Sequence, residues 1–287
     1  MSSITRYDVE LWIKTIATGE FHYKYVCGLK GQLEPKEDNK LRGIILQLCR
    51  ANVCESVGRK DGIYRPIQDG VLPIDFTNTE EHKDFPVILP FDLRKYVFIY
   101  PNTATVIAGS KSSGKTGFLY RTVALNMTRM NVILLSNMEG GKEQLRDRFM
   151  AMDIPIPKPA PFTVLPVSEG FHDYIRKPDT LYVIDYIDAP EGADFYLIGA
   201  AITKIRKKLV NSHAVIGLQK PQGRDTAFGG DQTLKDAALY IAMDNKKLKI
   251  VDAKVPANKT KHPKNMQWTF HYDNEGTSFT DIEPFYG

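Results

Sequence analysis

The chain has 287 residues, of which 43% are hydrophobic and 25% are charged, so its composition is that of a folded globular protein and excludes a disordered or fibrous one. This length predicts one large α/β domain with a smaller module. No stretch approaches the roughly 18 apolar residues that a membrane span needs, and the amino terminus lacks the basic and apolar segments of a signal peptide. We therefore expect a cytoplasmic protein without a membrane partner.

The net charge of +4 is mild, but the charge is unevenly distributed. Residues 246–264 contain seven lysines and a single acid, Asp252. Such a patch suits a phosphate-bearing partner, and a solvated edge of the protein is the alternative. The cysteine spacings match no zinc or redox motif, so we expect reduced core residues at Cys27, Cys49 and Cys54.

The amino-terminal segment predicts a small helical unit that ends in a hairpin. Apolar residues at helical spacing predict helices at residues 7–18 and 37–52, and a short second helix is expected near 23–29. Asp38 or Asn39 is the expected cap of the last of these helices. The runs VCESV (53–57) and IYRPI (63–67) flank a glycine-rich turn and predict a β-hairpin.

Three helices followed by a two-stranded ribbon resemble the winged-helix family of DNA-binding domains. The resemblance covers about residues 5–67 and depends on the order of the elements. It implies that the third helix faces a DNA groove and that the tip of the hairpin contacts phosphate. The DNA-contact candidates in this unit are Lys40, Arg42, Arg50, Arg59 and Lys60. A winged helix that contacts another protein is the rival interpretation.

A proline-rich and acidic stretch without sustained periodicity follows, as is typical of linkers. We predict a winged-helix-like domain at residues 1–68, a linker at 69–91 and a larger α/β domain at 92–287. In the larger domain, nearly all-apolar strands alternate with helices, which indicates a mainly parallel sheet covered on both faces. The predicted strands are 104–109, 131–136, 180–188, 213–219, 237–243 and 247–255, with antiparallel pairing near the end.

The segment GSKSSGKT at residues 109–116 matches the phosphate-binding pattern G-x-x-x-x-G-K-[ST]. It follows an apolar strand and leads into a helical pattern, so a merely glycine-rich turn is the weaker interpretation. Lys115 would reach the terminal phosphates of a nucleotide, and the Thr116 hydroxyl would ligate Mg²⁺. The predicted nucleotide-binding residues are Gly109, Ser110, Lys111, Ser112, Ser113, Gly114, Lys115, Thr116 and Gly117.

Asp185 ends the apolar run LYVID, where a second acidic residue is expected to hold the magnesium shell. Asp188 follows three residues later and could instead cap the next segment. Because the residues before Asp185 are continuously apolar, we predict Asp185 as the second metal residue.

The segment NMEGGKEQL at residues 137–145 follows the apolar strand NVILLS. It aligns without a gap with a segment like S-L-E-M-S-K-E-Q-L in DnaB-type helicases. With the phosphate loop, the chain therefore resembles the RecA-like ATPases, and within them the DnaB-type hexameric helicases and their RepA and KaiC relatives. The resemblance implies ATP and Mg²⁺ as ligands and Glu139 as the catalytic glutamate that polarises the attacking water. A helix-capping role for Glu139 is the alternative, because the helix dipole also favours an acid there.

The resemblance extends to the segment that begins HAVIGLQ. It implies that Gln219 senses the γ-phosphate and that the following loop, 220–232, faces the central channel of ring-shaped relatives. Three basic residues of this region are DNA-contact candidates by the same resemblance: Lys220, Arg224 and Lys235.

The late part of the chain departs from the family pattern. DnaB-type proteins carry a lysine and an arginine finger there, and both reach the nucleotide of the neighbouring subunit. This chain has no arginine after Arg224. The candidates to act in trans are Lys254, Lys259 and Lys261, and Arg224 could also substitute. Lysine and arginine differ in charge geometry, so this departure weakens the expectation of rapid hydrolysis.

These residues predict a RecA-like P-loop ATPase core with a small winged-helix domain. The predicted function is DNA translocation or remodelling coupled to ATP hydrolysis between subunits, as in a compact phage or plasmid replicative helicase. The expected partners are single-stranded or duplex DNA and further copies of the chain in a hexameric ring. Two alternatives are an ATP-gated DNA-binding regulator with weak hydrolysis and a RadA-like recombination or repair ATPase.

Overall fold

The computed structural model describes residues 4–29, 31, 33–58, 61–67, 77, 84–138, 140–188, 195–273 and 276–285. Contacts within the chain divide it into two units, residues 1–79 and 80–287. In the described residues no helix is long and apolar enough to cross a lipid bilayer.

The smaller unit combines helices with a three-stranded antiparallel sheet in the order β1-β3-β2. Its elements are α1 (Arg6–Thr15), β1 (Phe21–His22), a 3-10 helix (Tyr23–Gly28), α2 (Pro35–Arg50), β2 (Cys54–Ser56) and β3 (Ile63–Pro66). A capping box starts α1, because the Thr5 side chain accepts a hydrogen bond from the Asp8 amide and the Asp8 carboxylate accepts one from the Thr5 amide. The apolar faces of α1 and α2 form one core, which includes Val9, Ile13 and Ile45.

Four features of this unit differ from the sequence prediction. The predicted second helix is a short 3-10 segment, in which Val26 and Cys27 have non-helical backbone angles. Helix α2 begins earlier than expected, because Pro35 supplies the fixed backbone angle of a first helical turn. Asp38 does not cap it and instead accepts a hydrogen bond from the Tyr23 hydroxyl at 2.8 Å. Strand β1, which the sequence did not suggest, joins the predicted hairpin.

The larger unit is built on a nine-stranded sheet in the order β12-β11-β10-β9-β4-β8-β7-β5-β6. The pairs from β9 through β6 are parallel, and β9 to β12 pair antiparallel. Its strands are β4 (Thr103–Gly109), β5 (Asn131–Ser136), β6 (Thr163–Pro166), β7 (Thr180–Ile187), β8 (His213–Gln219), β9 (Ala237–Asp244), β10 (Lys247–Ala253), β11 (Gln267–Asp273) and β12 (Ser278–Phe285). Its helices are α3 (Lys115–Asn126), α4 (Gly141–Met150) and α5 (Tyr196–Lys208).

The central strands are buried on both faces, which explains their nearly all-apolar sequences. All six strands predicted in this unit are present, whereas β6, β11 and β12 were not predicted. Strand β6 is short and only partly buried, and β11 and β12 mix polar residues with aromatic ones. Their weaker apolar patterns gave no clear strand signal.

The predicted linker, 69–91, extends too far toward the carboxyl terminus. Phe85, Val87 and Leu89 are buried in the core of the larger unit together with Phe91. These buried residues alternate with exposed or half-buried neighbours, as in an extended chain that packs against the core on one side. The prolines around them obscured this pattern in the sequence.

Candidate nucleotide site

The phosphate loop connects the end of β4 to the start of α3, as the sequence pattern predicted. Two of its glycines are required by geometry. Gly114 has a φ of +87°, and a Cβ there would lie 2.4 Å from the ring of Tyr272. A Cβ on Gly117 would lie 1.9 Å from the Gly276 carbonyl oxygen. The connection between β11 and β12 therefore lies directly against the loop and the first turn of α3.

Parallel pairing brings the predicted polar residues to one edge of the sheet. Gly109 on β4 is in register with Gln219 on β8, and Ser136 on β5 is in register with Asp185 on β7. The carboxyl ends of these four strands meet beside the phosphate loop, the place where open α/β sheets bind ligands.

Lys115 is nearly buried, and its ammonium group lies within this edge. Its Nζ donates a hydrogen bond to Gln219 Oε1 at 3.3 Å and lies 4.0 Å from the centre of the Tyr186 ring. Contact with the face of an aromatic ring favours a cation. The loop lysine and the predicted sensor glutamine are thus direct neighbours.

The oxygens of Thr116 and Asp185 form a pair suited to a divalent cation. The Thr116 hydroxyl donates to Asp185 Oδ1 at 3.2 Å, and Asp185 is only 4% exposed. Burial raises the pKa of Asp185, while the charge of Lys115 and the Thr116 hydrogen bond lower it. Hydroxyl and carboxylate oxygens are the ligands that Mg²⁺ prefers, and a cation here would favour the ionised carboxylate. Asp188 is exposed, so the geometry places Asp185 and not Asp188 beside Thr116.

Loop residues Ser110 to Gly117 line a cleft of about 720 Å³, a volume in the range of small-molecule sites. Lys115 and Gln219 also line it. Four other lining residues were not predicted: Arg148, Tyr186, Tyr272 and Gly276. All four lie outside the phosphate-loop motif, and only the folded chain brings them to the cleft. The nearest sequence signal is that Tyr186 directly follows the predicted metal residue Asp185.

Tyr272 reaches the loop from β11. Its hydroxyl donates a hydrogen bond to the carbonyl oxygen of Ser113, and burial raises its pKa to about 12. The hydroxyl therefore stays protonated as a donor at neutral pH. This contact links the antiparallel end of the sheet to the phosphate loop.

A second cavity of about 100 Å³ lies beside the side-chain oxygens of Thr116 and Asp185. Thr116, Ser136, Asp185 and Arg148 are among the residues that line it. Glu139 itself lies outside the described residues, but Met138 and Gly140 on either side of it also line this cavity.

Lys220 does not fit its predicted role as a DNA contact. Its side chain is fully buried, and its Nζ donates hydrogen bonds to Asp244 Oδ1 at 2.7 Å and to the Arg224 carbonyl oxygen at 2.6 Å. An ammonium group in this position cannot reach DNA phosphate. Through these hydrogen bonds, Lys220 instead connects the loop that follows Gln219 to the end of β9.

The variant Lys220→Met tests this fastening role. Removing the ammonium leaves the Arg224 carbonyl oxygen and Asp244 without their donor, so we expect a loss of about 1–3 kcal/mol in the free energy of unfolding. The measurement is urea unfolding followed by circular dichroism, with the exposed Lys235→Met as the matched control. Equal stability of the two variants would contradict the fastening role.

The other basic candidates have different surroundings. Arg42 donates from Nε to the Tyr23 hydroxyl at 2.6 Å and to Asp38 at 3.1 Å, so part of its charge is compensated. The Nζ of Lys254 donates to the Lys235 carbonyl oxygen at 3.0 Å. The exposed candidates are Lys40, Arg42, Arg50, Arg224, Lys235, Lys254, Lys259 and Lys261. Arg59 and Lys60 lie outside the described residues.

The strand, loop and helix with the paired Thr116 and Asp185 define the larger unit as a P-loop nucleotide-binding fold. Comparison with protein-family models finds no match, and comparison with curated proteins finds none either.

Solved structures are similar to the chain in fold. A KaiC-like protein from the hyperthermophilic archaeon Pyrococcus horikoshii OT3 matches 69% of this chain and 100% of its own, with a TM-score of 0.51 and 13% identity. A DnaB-like replicative helicase, solved to describe its interactions with primase, matches 72% of this chain and 66% of its own, with a TM-score of 0.50 and 13% identity. The larger unit therefore has the RecA-like fold of the P-loop ATPases, as predicted.

Proposed function

We propose that this chain is a RecA-like ATPase that binds DNA and couples ATP hydrolysis at subunit interfaces to movement along DNA or its remodelling. The observation that carries the proposal is that Lys115, Thr116 and Gln219 line one cleft, while Asp185 lines the adjoining cavity and accepts a hydrogen bond from Thr116. Phosphoryl transfer to water uses a loop that binds phosphate, ligands for Mg²⁺ and a polar side chain that contacts the γ-phosphate. The likeness in fold to a DnaB-like replicative helicase supports the helicase version of the proposal.

Each residue has a defined part in this proposal. The loop amides and Lys115 bind the phosphates of ATP, and the oxygens of Thr116 and Asp185 hold Mg²⁺. When bound, Mg²⁺ neutralises charge on the phosphate oxygens. Glu139 orients the water and accepts its proton.

Gln219, the proposed γ-phosphate sensor, directly precedes the loop 220–232, which is the candidate DNA contact. Gln219 contacts Lys115, and the next residue, Lys220, donates its amide to the Gly109 carbonyl oxygen at 3.0 Å. Lys220 then fastens the loop that carries the exposed Arg224. Loss of the γ-phosphate contact at Gln219 would therefore change the position of the backbone at residues 219 and 220, where the loop begins.

The variant Glu139→Ala tests the assignment of the water-activating residue. Without the carboxylate, we expect the hydrolysis rate to fall by about 10²-fold while ATP binding stays unchanged, because a general base acts on the attacking water and not on bound phosphate. The rate is measured as phosphate release at saturating ATP. Glu143→Ala, also on the segment after β5, is the control, and normal hydrolysis by Glu139→Ala would remove Glu139 from the mechanism.

The proposed function as a whole is tested by ATP hydrolysis without DNA, with single-stranded DNA and with duplex DNA. Mass measurements with and without ATP accompany the rates. Stimulation by DNA together with ATP-dependent oligomers is the expected result. Absence of ATP binding would overturn the proposal.

A second candidate function is an ATP-gated DNA-binding regulator. The sequence observation that favours it is the lack of any arginine after Arg224, where an arginine finger is expected. The same experiment separates the two functions. A regulator would form ATP-dependent oligomers and bind duplex DNA tightly, without DNA-stimulated turnover.

A further inference from the structure

Tyr120 is a buried polar side chain in the site, and the proposed reaction gives it no part. It lies four residues after Thr116 on α3, so the two side chains share one face of the helix. Its side chain is only 5% exposed and lines the smaller cavity together with Thr116, Ser136 and Asp185. A hydroxyl group buried in this way needs hydrogen-bond partners, because an unpaired one costs free energy.

The ring of Tyr120 is held by stacking between α3 and α4. It lies against the ring of Phe149, with ring centres 5.0 Å apart and planes 11° from parallel. Phe149 is itself buried, and its other contact is the ring of Phe162, also at 5.0 Å. This packing fixes the position of the Tyr120 ring and therefore of its hydroxyl group.

The Tyr120 hydroxyl group forms hydrogen bonds with the side chains of Asp185 and Ser136. An ionised carboxylate only accepts hydrogen bonds, so Tyr120 gives its one proton to Asp185 and accepts the hydrogen bond that the Ser136 hydroxyl donates. Burial raises the pKa of Tyr120 to about 12. The tyrosine therefore keeps its proton and remains a donor at neutral pH.

The hydrogen bonds continue from Ser136 to the backbone before Glu139. The Oγ atom of Ser136 accepts a hydrogen bond from the Met138 amide at 3.2 Å. Met138 has a φ of +52°, a left-handed conformation that is uncommon for residues other than glycine and that surrounding contacts must hold. Glu139 is the next residue in the sequence. One chain of hydrogen bonds, which we call the Tyr120 relay, thus consists of the Met138 amide, the Ser136 and Tyr120 hydroxyl groups and the Asp185 carboxylate.

We propose that Tyr120 is a positioning residue of the ATPase site, which orients the Asp185 carboxylate for its metal ion and couples it to the backbone that continues into Glu139. This inference rests on the proposed ATPase function. The carboxylate accepts one hydrogen bond from Thr116 and one from Tyr120, so two donors define its orientation. Protein donors that hold a ligand carboxylate in this way strengthen metal binding.

The relay also joins the two halves of the proposed reaction. Hydrolysis needs the metal ligand Asp185 and the water-activating Glu139 in place at the same time, and a general base acts only within hydrogen-bond reach of its proton. Ser136 and Tyr120 connect the backbone next to Glu139 to the carboxylate of Asp185. A correctly oriented carboxylate therefore favours the backbone conformation from which Glu139 acts.

The test uses one variant for each link of the relay. Tyr120→Phe keeps the ring on Phe149 and removes the hydroxyl group, and Ser136→Ala removes the link to the Met138 amide. Tyr182→Phe is the matched control. Tyr182 is fully buried on β7 and its hydroxyl group donates to the Lys177 carbonyl oxygen at 2.9 Å, but it lines neither cavity of the site.

Three quantities are measured for each variant. Binding of Mn²⁺, which takes the same oxygen ligands as Mg²⁺, is followed by electron paramagnetic resonance with a non-hydrolysable ATP analogue present. Affinity for a fluorescent form of that analogue is measured by anisotropy at saturating Mg²⁺, and phosphate release gives the hydrolysis rate. Thermal melting verifies the fold of each variant.

Tyr120→Phe should weaken Mn²⁺ binding by about 10-fold, as on loss of a hydrogen bond to a charged group, while affinity for the ATP analogue changes less than about 2-fold. Ser136→Ala should keep Mn²⁺ binding within about 2-fold of the wild type and lower the hydrolysis rate by about 10-fold, because Glu139 is less well placed. Tyr182→Phe should lose thermal stability but match the wild type in metal binding and hydrolysis.

Wild-type Mn²⁺ affinity in a folded Tyr120→Phe, or an equal loss of it in Tyr182→Phe, would show that Tyr120 does not position Asp185. Wild-type hydrolysis in Ser136→Ala would remove the coupling to Glu139. In both cases the wild-type protein still binds and hydrolyses ATP, so the proposed function stands. If the wild-type protein binds neither the ATP analogue nor Mn²⁺, the proposed function fails and the inference fails with it.

Discussion

Lys115→Ala is expected to weaken ATP binding by about 10- to 100-fold, because a hydrogen bond to a charged group contributes about 1.5–3 kcal/mol and the lysine lines the phosphate cleft. Its ammonium is nearly buried between Gln219 and the ring of Tyr186, so no other side chain can occupy the same position without rearrangement. The variant should therefore also lose hydrolysis. The measurement is titration with a fluorescent ATP analogue in the presence of Mg²⁺.

Lys207→Ala is the matched control for this experiment, because Lys207 is an exposed lysine on α5 that lines neither cavity of the site. It should bind ATP like the wild type. Wild-type affinity in a folded Lys115→Ala variant would mean that the cleft at the phosphate loop is not the nucleotide site. Thermal melting identifies a variant that is merely unfolded.

Asp185→Asn is expected to lower the hydrolysis rate by about 10³-fold, since a metal ion contributes several kcal/mol to stabilising the transition state and each 1.4 kcal/mol is tenfold in rate. The asparagine keeps the shape of the side chain but lacks the charge that is proposed to hold Mg²⁺. Nucleotide binding through the loop amides and Lys115 should persist in weakened form. Phosphate release at saturating ATP and varied Mg²⁺ is the measurement.

The same variant should be more stable than the wild type when Mg²⁺ and nucleotide are absent. Burial raises the pKa of Asp185 above its ordinary value near 3.8, so the folded protein disfavours the ionised form. Between that ordinary value and the raised one, the unfolded carboxyl group is ionised while the folded one retains its proton. Wild-type stability therefore falls as pH rises through this interval, and the advantage of Asp185→Asn appears there and persists at higher pH.

Asp188→Asn is the control that separates the two neighbouring aspartates. Asp188 is exposed after the end of β7, so this variant should keep both hydrolysis and the wild-type pH dependence of unfolding. Loss of hydrolysis in Asp188→Asn with normal rates in Asp185→Asn would reverse the assignment of the metal residue. Unfolding is followed by thermal melting across the acid range.

The larger unit shows which features of a fold a sequence can predict. The central strands were predicted because burial on both faces requires continuous apolar runs, such as TLYVIDYI on β7. Strands β11 and β12 were missed because antiparallel strands near a sheet edge tolerate polar residues, as in β12, where most residues after Phe279 are exposed. The residues that β11 and its turn bring to the cleft, Tyr272 and Gly276, were missed with them.

The sequence by itself determined the phosphate loop, its lysine and threonine, and the aspartate near the end of β7. These residues are local, because a loop that wraps phosphate needs fixed spacing of glycines and a following helix. Parallel strands then bring Gly109 beside Gln219 and Ser136 beside Asp185, which an alternation of strands and helices already implied.

Only the tertiary structure decided which basic residues face the cleft and which are buried. Lys220 looked like a DNA contact in sequence, but Asp244 at the end of β9 lies close enough to pair with it, and β9 is distant in the chain. Arg148 looked like one of several charges on a polar helix, but the packing of Phe149 against Tyr120 sets the face that meets the cleft. The surroundings of a charged side chain depend on contacts between residues far apart in sequence, and spacing along the chain does not encode those contacts.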